Sequence, residues 1–317
     1  MVSWLTLRSV DAVAAALGKV CPDLVGLPIE LHDMWVETGN PLWARSSAFV
    51  GAAWVVKFAW SESAAIKLAR EIHTLLALAT SARPPPVRRV HAWSSDPVLM
   101  VSPFVAGSPV LGNAIARSSA AQVHHLGDEL AKVLAAFHDQ ATRDAIERSR
   151  VQLRRPTPQA TTDELRSRFA PTLDARRRAL VEGWCDWVDG ALAANEPDPV
   201  ILHGDFHGYN LVVDESQRVR VVLDLEEASI GDYHYDFRYL PAQAPTLELL
   251  RATVASYERL TNRRVGLDRV MAWHVRTVLG DALWRTEADV ALPGGGTPTS
   301  WIDELAARMT ALDLRNP

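Results

Sequence analysis

Cysteine is almost absent: only Cys21 and Cys185 occur in 317 residues, and neither has a second cysteine at CxxC spacing. That excludes a disulfide scaffold and a cysteine zinc site, and it fits a reducing cytoplasm. No run of 18 apolar residues is present, so no membrane-spanning helix is expected. The opening MVSWLTLRSVDAV lacks a basic start followed by an apolar stretch, so no secretory leader is expected. Positive charge is not in excess. The 33 Lys+Arg face 38 Asp+Glu, a net charge of −5, which argues against nucleic acid as a partner because phosphates need clustered cations. Arg176-Arg177-Arg178 is a cationic run without interleaved aromatics and reads as a solvated helix face. No Walker-type phosphate loop and no internal repeat is found.

The chain does have a globular balance, 48% apolar and 22% charged, at a length that suits about two domains. Its first hundred residues read as strands with one long helix. Strands are expected at Met34–Glu37, Ala44–Val50, Ala52–Ala59, Val87–Trp93 and Pro97–Val101. Ala65, Leu68, Ile72, Leu75, Leu76 and Ala79 recur at helical spacing, so Glu62–Ala79 is expected to be an amphipathic helix. The connector Ser102–Gly107, rich in turn formers, marks a domain boundary. Helices then dominate: one ending near His138, others over Asp163–Phe169, Leu173–Asn195, Leu247–Leu260, Asp268–Glu287 and Ser300–Leu312. Short strands interrupt them at Val200–Leu202, Leu211–Val213 and Val219–Leu225. The expected division is 1–101, a linker at 102–107, and 108–317.

Residues 201–225 carry the chemistry. His203, Asp205, His207 and Asn210 crowd a loop between two short apolar strands, and Asp224 ends the next strand fourteen residues after Asn210. Polar groups this dense between buried strands need a reason. Phosphoryl transfer supplies one, since a carboxylate must orient an attacking hydroxyl while a carboxamide and a second carboxylate hold Mg²⁺ on the nucleotide phosphates. The same stretch also has a His203-x-Asp205-x-His207 spacing suited to a metal hydrolase. No second cluster supplies the remaining ligands, and an Asn suits magnesium better than zinc.

The run His203-Gly204-Asp205-Phe206-His207-Gly208-Tyr209-Asn210 resembles the H-G-D-x-H-x-x-N motif of the aminoglycoside phosphotransferase and choline kinase-like family. Leu223-Asp224-Leu225-Glu226, followed by Gly231-Asp232 and Asp236, is similar to that family's second element, and Ala136-Phe137-His138 to its helix ending in Leu-His. The likeness spans about residues 30–290. It implies an α+β, bilobal protein-kinase-like fold, with a small antiparallel-sheet lobe for the nucleotide and a larger, mainly helical lobe for the acceptor. It implies that Asp205 is the catalytic base, that Asn210 and Asp224 hold Mg²⁺, and that His203, His207 and Asp236 brace the loop.

By the same likeness Lys57 is the strand cation on the phosphates of ATP or GTP, and Glu71 is its helix partner. Read alone, they are also consistent with a strand-end lysine reaching water and an acid on a solvated helix face. The linker aligns so that the Pro103 carbonyl and Val105 amide bond the nucleotide base; a two-residue slip would bring in Val101. A glycine-rich G-x-G-x-x-G loop is missing, and only Thr38-Gly39-Asn40-Pro41 stands in its place, so Gly39 and Asn40 are either phosphate contacts or a plain hairpin turn. The acceptor is expected to be a small-molecule alcohol, an aminoglycoside-type or other antibiotic. A sugar, choline-like or amino-acid alcohol is the metabolic alternative, and a nucleotide-binding protein without catalysis is the third. An acidic pocket would suit a polyamine, with Glu226, Glu227, Asp232, Asp281, Glu287 and Asp289 as candidates and Trp284 as an aromatic one. The Gly294–Gly296 loop is either a lid or a linker.

Overall fold

The computed structural model describes residues 2–32, 45–194, 196–292 and 295–314. The strand expected at Met34–Glu37, together with Gly39, Asn40 and Gly294, lies outside the described residues. In chain order the elements are α1 (Val10–Val20), β1 (Ile29–His32), β2 (Arg45–Val50), β3 (Trp54–Ala59), α2 (Glu62–Leu78), β4 (Ala92–Ser95), β5 (Val98–Pro103), β6 (Ser108–Pro109), α3 (Gly112–Ile115), α4 (Ala120–Phe137), α5 (Gln140–Arg148), α6 (Thr162–Glu164), α7 (Ala175–Ala193), β7 (Val200–Leu202), β8 (Leu211–Val213), β9 (Val219–Val222), β10 (Ser229–Gly231), α8 (Leu240–Gln243), α9 (Glu248–Thr261), α10 (Leu267–Glu287) and α11 (Pro298–Ala311). The chain divides into two compact units.

The first unit comprises Met1–Pro109, Asp139–Leu153 and Asn210–Ala228. Its main sheet is antiparallel throughout, in the order β1-β2-β3-β5-β4. β-Branched and aromatic residues fill β3, and alternation splits them between two faces. Val56 and Phe58 point into a core shared with Val13, Ala16 and Leu17 of α1. Lys57, between them, points to the other face, where α2 packs. Ser61 starts α2 by accepting from the Ala64 amide (3.3 Å). Ala64, Leu68, Ile72 and Leu75 form its buried stripe, and Glu71 falls on that stripe, 2% exposed.

Two expectations for this unit change. Of Val87–Trp93 only Ala92 and Trp93 join the sheet, because the prolines before Val87 serve another partner: the Pro86 carbonyl accepts from Val222, and Val87 bridges Val222 in β9. An unforeseen helix, α5, begins directly after His138. Asp139 caps it by accepting from the Ala141 amide (2.7 Å).

The second unit comprises Val110–His138, Arg154–Tyr209 and Ser229–Pro317. A capping box, Ser119 with Gln122, opens α4. α4 and α9 lie so close that a Cβ on Gly127 would come within 2.7 Å of Ala252 Cβ, so only glycine fits there. A second layer forms where Val181, Trp184 and Val188 of α7 meet Met271, Val275 and Leu279 of α10 and Ile302, Leu305 and Met309 of α11. Trp184 is fully buried, so its loss to alanine should cost about 3–5 kcal/mol. The expected helix Asp163–Phe169 is a short α turn that widens into a π turn over Leu165–Phe169.

One buried side chain of α10 makes the fold sensitive to pH. His274 is 1% exposed, and its Nδ1 lies 2.7 Å from the Arg238 carbonyl, an acceptor, so Nδ1 carries the proton. Nε2 is buried without a partner. Burial, with the Arg308 charge adding to it, pushes the imidazole down to about 3. Between the unfolded value near 6.5 and that folded value, the unfolded chain takes up a proton that the folded one refuses. Stability is therefore expected to fall as pH drops from about 6.5, by on the order of 1 kcal/mol per pH unit for this site. In His274→Asn, which stays neutral, the loss of Tm between pH 7 and pH 5 should be smaller than in the wild type, even though its Tm at pH 7 is lower.

Candidate active site

Each unit holds its own set of groups. In the first, Lys57 Nζ meets three carboxylates: Glu71 Oε2 at 2.6 Å, Glu226 Oε1 at 3.1 Å and Asp224 Oδ1 at 3.2 Å. Glu71 and Glu226 are buried, whereas Asp224 is about a third exposed (32%). Glu71 also accepts from the Leu225 amide (3.3 Å), and Arg70 Nη2 donates to the Glu226 carbonyl (2.6 Å). α2 thus fixes the segment 224–226 through two bonds. Asp224 has φ +59°, a left-handed conformation that is uncommon outside glycine. The buried Asn210 is tied to this turn, since its carbonyl accepts from the Leu223 amide (2.8 Å). Carboxylate oxygens of Glu71, Asp224 and Glu226 lie within 4.8 Å of one another, a hard-oxygen set of the kind a divalent cation such as Mg²⁺ takes.

The linker residues also fall in this unit. Pro103 ends β5 opposite Trp54, and the next amide, Phe104, donates to the Ala53 carbonyl (2.8 Å). Val105 follows, half-buried.

In the second unit the loop after β7 is held from below by Asp236. This fully buried carboxylate accepts from the amides of His203 (2.8 Å) and Gly204 (2.9 Å), and His138 Nε2 stands 3.3 Å away. Burial opposes its charge, but these donors outweigh burial and hold it below the usual carboxylate range. Burial pulls the His138 imidazole below its ordinary pKa; Nε2 faces the Asp236 carboxylate, an acceptor, and Nδ1 lies 2.8 Å from the Tyr257 hydroxyl. His203 is buried edge-on to Phe137 and Phe206, and its Nδ1 accepts from the Asp205 amide (3.1 Å). His203 and Asp236 thus each bond backbone amides of the loop, and His207 Nε2 lies 3.2 Å from Asp205 Oδ2.

Asp205 is about a quarter exposed (26%). Burial raises its pKa, but the His207 hydrogen bond and the charges of His207, Arg238 and His203 prevail, and the carboxyl is held far below its ordinary value. Arg238 Nη2 lies 3.8 Å from Asp205 Oδ1. Farther along the loop, Gln243 accepts from the Gly208 amide (2.9 Å) and donates to the Val110 carbonyl (2.7 Å).

A family model described as "Phosphotransferase enzyme family" matches residues 39–273, about three quarters of the chain. The chain belongs to the phosphotransferase enzyme family. No curated protein sequence matches this phosphotransferase significantly. Among solved structures, the GDP complex of wild-type aminoglycoside 2'-phosphotransferase-IIIa is similar at TM-score 0.70 and 16% identity, covering 96% of this chain and 98% of that one. A macrolide 2'-phosphotransferase from Brachybacterium faecium is similar at TM-score 0.60 and 19% identity, covering 97% and 99%. A type I macrolide 2'-phosphotransferase reaches 0.64 at 17%, covering 98% of each. The phosphotransferase therefore has their protein-kinase-like α+β fold.

Five of the six acidic candidates for the acceptor side have cationic partners. Glu226 and Glu227 belong to the first unit and pair with Lys57 and Lys67. Asp232 is 4% exposed and accepts from Arg269 (2.5 Å), Trp273 (2.8 Å) and His234. Asp281 pairs with Arg285 (3.0 Å) and Glu287 with Arg168; Asp289 is exposed. Trp284 is half-buried under the Arg285 guanidinium. Sequence reasoning missed Glu226 as a Lys57 partner, although its place two residues after Asp224, across the buried Leu225, was a usable signal. It also missed Arg238 and Gln243, for which the sequence offers none.

Gly208 gives a direct test of the loop geometry. A Cβ there would lie 1.9 Å from the Val110 carbonyl oxygen and 2.2 Å from Gln243 Nε2. Gly208→Ala is expected to lower Tm and remove phosphotransfer. Gly190→Ala, on a helix with open space around it, should leave activity intact and raise stability by about 0.5–1 kcal/mol. Thermal denaturation and nucleoside diphosphate release measure the contrast.

Proposed function

We propose that this phosphotransferase moves the γ-phosphoryl group of ATP or GTP onto a hydroxyl of a small-molecule antibiotic. The observation that carries the reading is the Asp205 carboxylate, kept ionised beside His207 and Arg238 on a loop pinned by Asp236. Asp205 orients the acceptor hydroxyl and takes its proton. The hydroxyl oxygen forms the new bond to phosphorus, the bond to the β-phosphate oxygen breaks, and that oxygen leaves with the electron pair on the nucleoside diphosphate. Lys57, oriented by Glu71, neutralises phosphate charge. Asp224 and Asn210 would hold Mg²⁺, which when bound offsets the negative charge of the phosphates. Pro103 and Val105 serve the base. GDP in the aminoglycoside 2'-phosphotransferase-IIIa structure and ADP in that of another aminoglycoside phosphotransferase support a nucleoside triphosphate donor.

Within the antibiotic class, the pairing of the acids favours an acceptor of low charge. The named neighbours include both aminoglycoside and macrolide enzymes. An unpaired acidic wall would draw a polycation, but Asp232, Asp281 and Glu287 are all balanced by arginine. The favoured acceptor is therefore of the macrolide type.

Nucleoside diphosphate release with erythromycin, kanamycin, choline and glucosamine tests the acceptor, and turnover is expected with erythromycin above the others. For the residue assignment, Asp205→Asn should lose about 10²- to 10⁴-fold in kcat. Its thermal stabilisation by Mg²⁺–ATP or Mg²⁺–GTP should persist. Unchanged turnover in that variant removes Asp205 as the base.

A further inference from the structure

Two aspartate–arginine pairs occur close together in the second unit, and they are built differently. Arg269 bonds Asp232 directly, and Trp273 and His234 complete that carboxylate's shell. Such a pair is a lock. Arg238 is just as buried, 4% exposed, yet its nearest Asp205 oxygen is 3.8 Å away, beyond hydrogen-bond length. Other groups fix the guanidinium instead. Nη2 donates to the Gly204 carbonyl (2.6 Å), Nη1 to the Tyr235 carbonyl (3.1 Å), and Nη2 also reaches the Tyr239 hydroxyl (3.3 Å). The rings of Tyr235 and Tyr239 lie 3.7 and 4.3 Å from Cζ. Nε is buried with no partner. The Arg238 carbonyl is held in turn by His274.

Burying a guanidinium with an unsatisfied donor is costly, and a core residue would fill the same space without that cost. What the arrangement yields is a fixed positive charge at a set distance from Asp205, immobilised without claiming that carboxylate by a direct bond. We infer that Arg238 is a positioning residue for Asp205: its fixed charge aims the carboxylate without bonding it directly. The same guanidinium sets the peptide before Asp205 through the Gly204 carbonyl. The groups around Asp205 in this unit are His207, His203, Tyr239 and Asp281. Of these, His207 and His203 favour its charge, as does Arg238, whereas Asp281 opposes it.

The inference rests on Asp205 being the base, so Asp205→Asn is measured alongside. Arg238→Gln keeps a donor for Gly204 but removes the charge, while Arg238→Lys keeps the charge but not the planar fork. Initial rates are read as kcat and nucleotide KM with erythromycin or kanamycin, whichever is turned over, or as phosphate release to water where neither is. Arg238→Gln is expected to lose about 100-fold in kcat, a misaimed-group penalty, with nucleotide KM unchanged. Arg238→Lys should retain at least ten times the Gln variant's kcat. Equal kcat in the two variants, or a Gln variant as fast as wild type, overturns the inference while Asp205→Asn stays inactive. A parallel loss of kcat, KM and Tm in both variants shows a purely structural brace and overturns it too. If the Gln variant does not fold, the Lys variant decides: kcat as low as in Asp205→Asn overturns the inference, and kcat within about tenfold of wild type supports it. Activity surviving in Asp205→Asn refutes the base assignment instead.

Discussion

A peptide loop that turns inside a protein must find acceptors for its N–H groups, and here one carboxylate supplies them. Asp236 takes the amides of His203 and Gly204 on its two oxygens, and His138 closes the remaining side. The charge on Asp236 is met chiefly by hydrogen bonds from the two backbone amides and by the imidazole beside it. The chain of bonds runs on to the Tyr257 hydroxyl on α9, so the loop, the end of α4 and α9 share one network. Removing the Asp236 carboxylate would orphan two buried amides and an imidazole at once, each worth about 1–3 kcal/mol unsatisfied. The backbone conformation that presents Asp205 follows from this network.

Charge is distributed differently in the first unit. Lys57 faces three carboxylates, and Arg88 adds a positive charge felt by Glu71 and Asp224 even as burial lowers its own pKa. Glu71 and Glu226 are buried and held by α2 and by Lys57, so they act as fixed walls. Asp224, partly exposed on a left-handed backbone, is the acid of the three best placed to meet something new. A left-handed aspartate costs backbone energy, which fits a residue retained for its direction and not for packing.

How much of this was legible in the sequence depends on the range over which each cause acts. α2 and α10 were legible because a helical stripe repeats within one turn, and the loop because its polar residues stand together in the chain. α5 was not: Thr142, Ala145 and Ile146 are its buried residues, too few and too small to signal a stripe. The strand at Val87 failed because its partner, Val222, lies over a hundred residues away. Arg238 was invisible for the same reason. An arginine after Asp-Phe reads as surface, and only folding brings Gly204, Tyr235 and Tyr239 around it.

The acids show the same limit most clearly. Composition gives each carboxylate one negative charge, but attraction for a cation depends on the field that remains after neighbours are counted. A carboxylate 2.5–3.0 Å from a guanidinium, as in Asp232 and Asp281, presents a dipole whose field falls off faster than that of a charge. Salt then screens what is left within about 8–10 Å. A polycation approaching such a surface gains little for the water it sheds. An acceptor recognised mainly by shape loses nothing to the pairing.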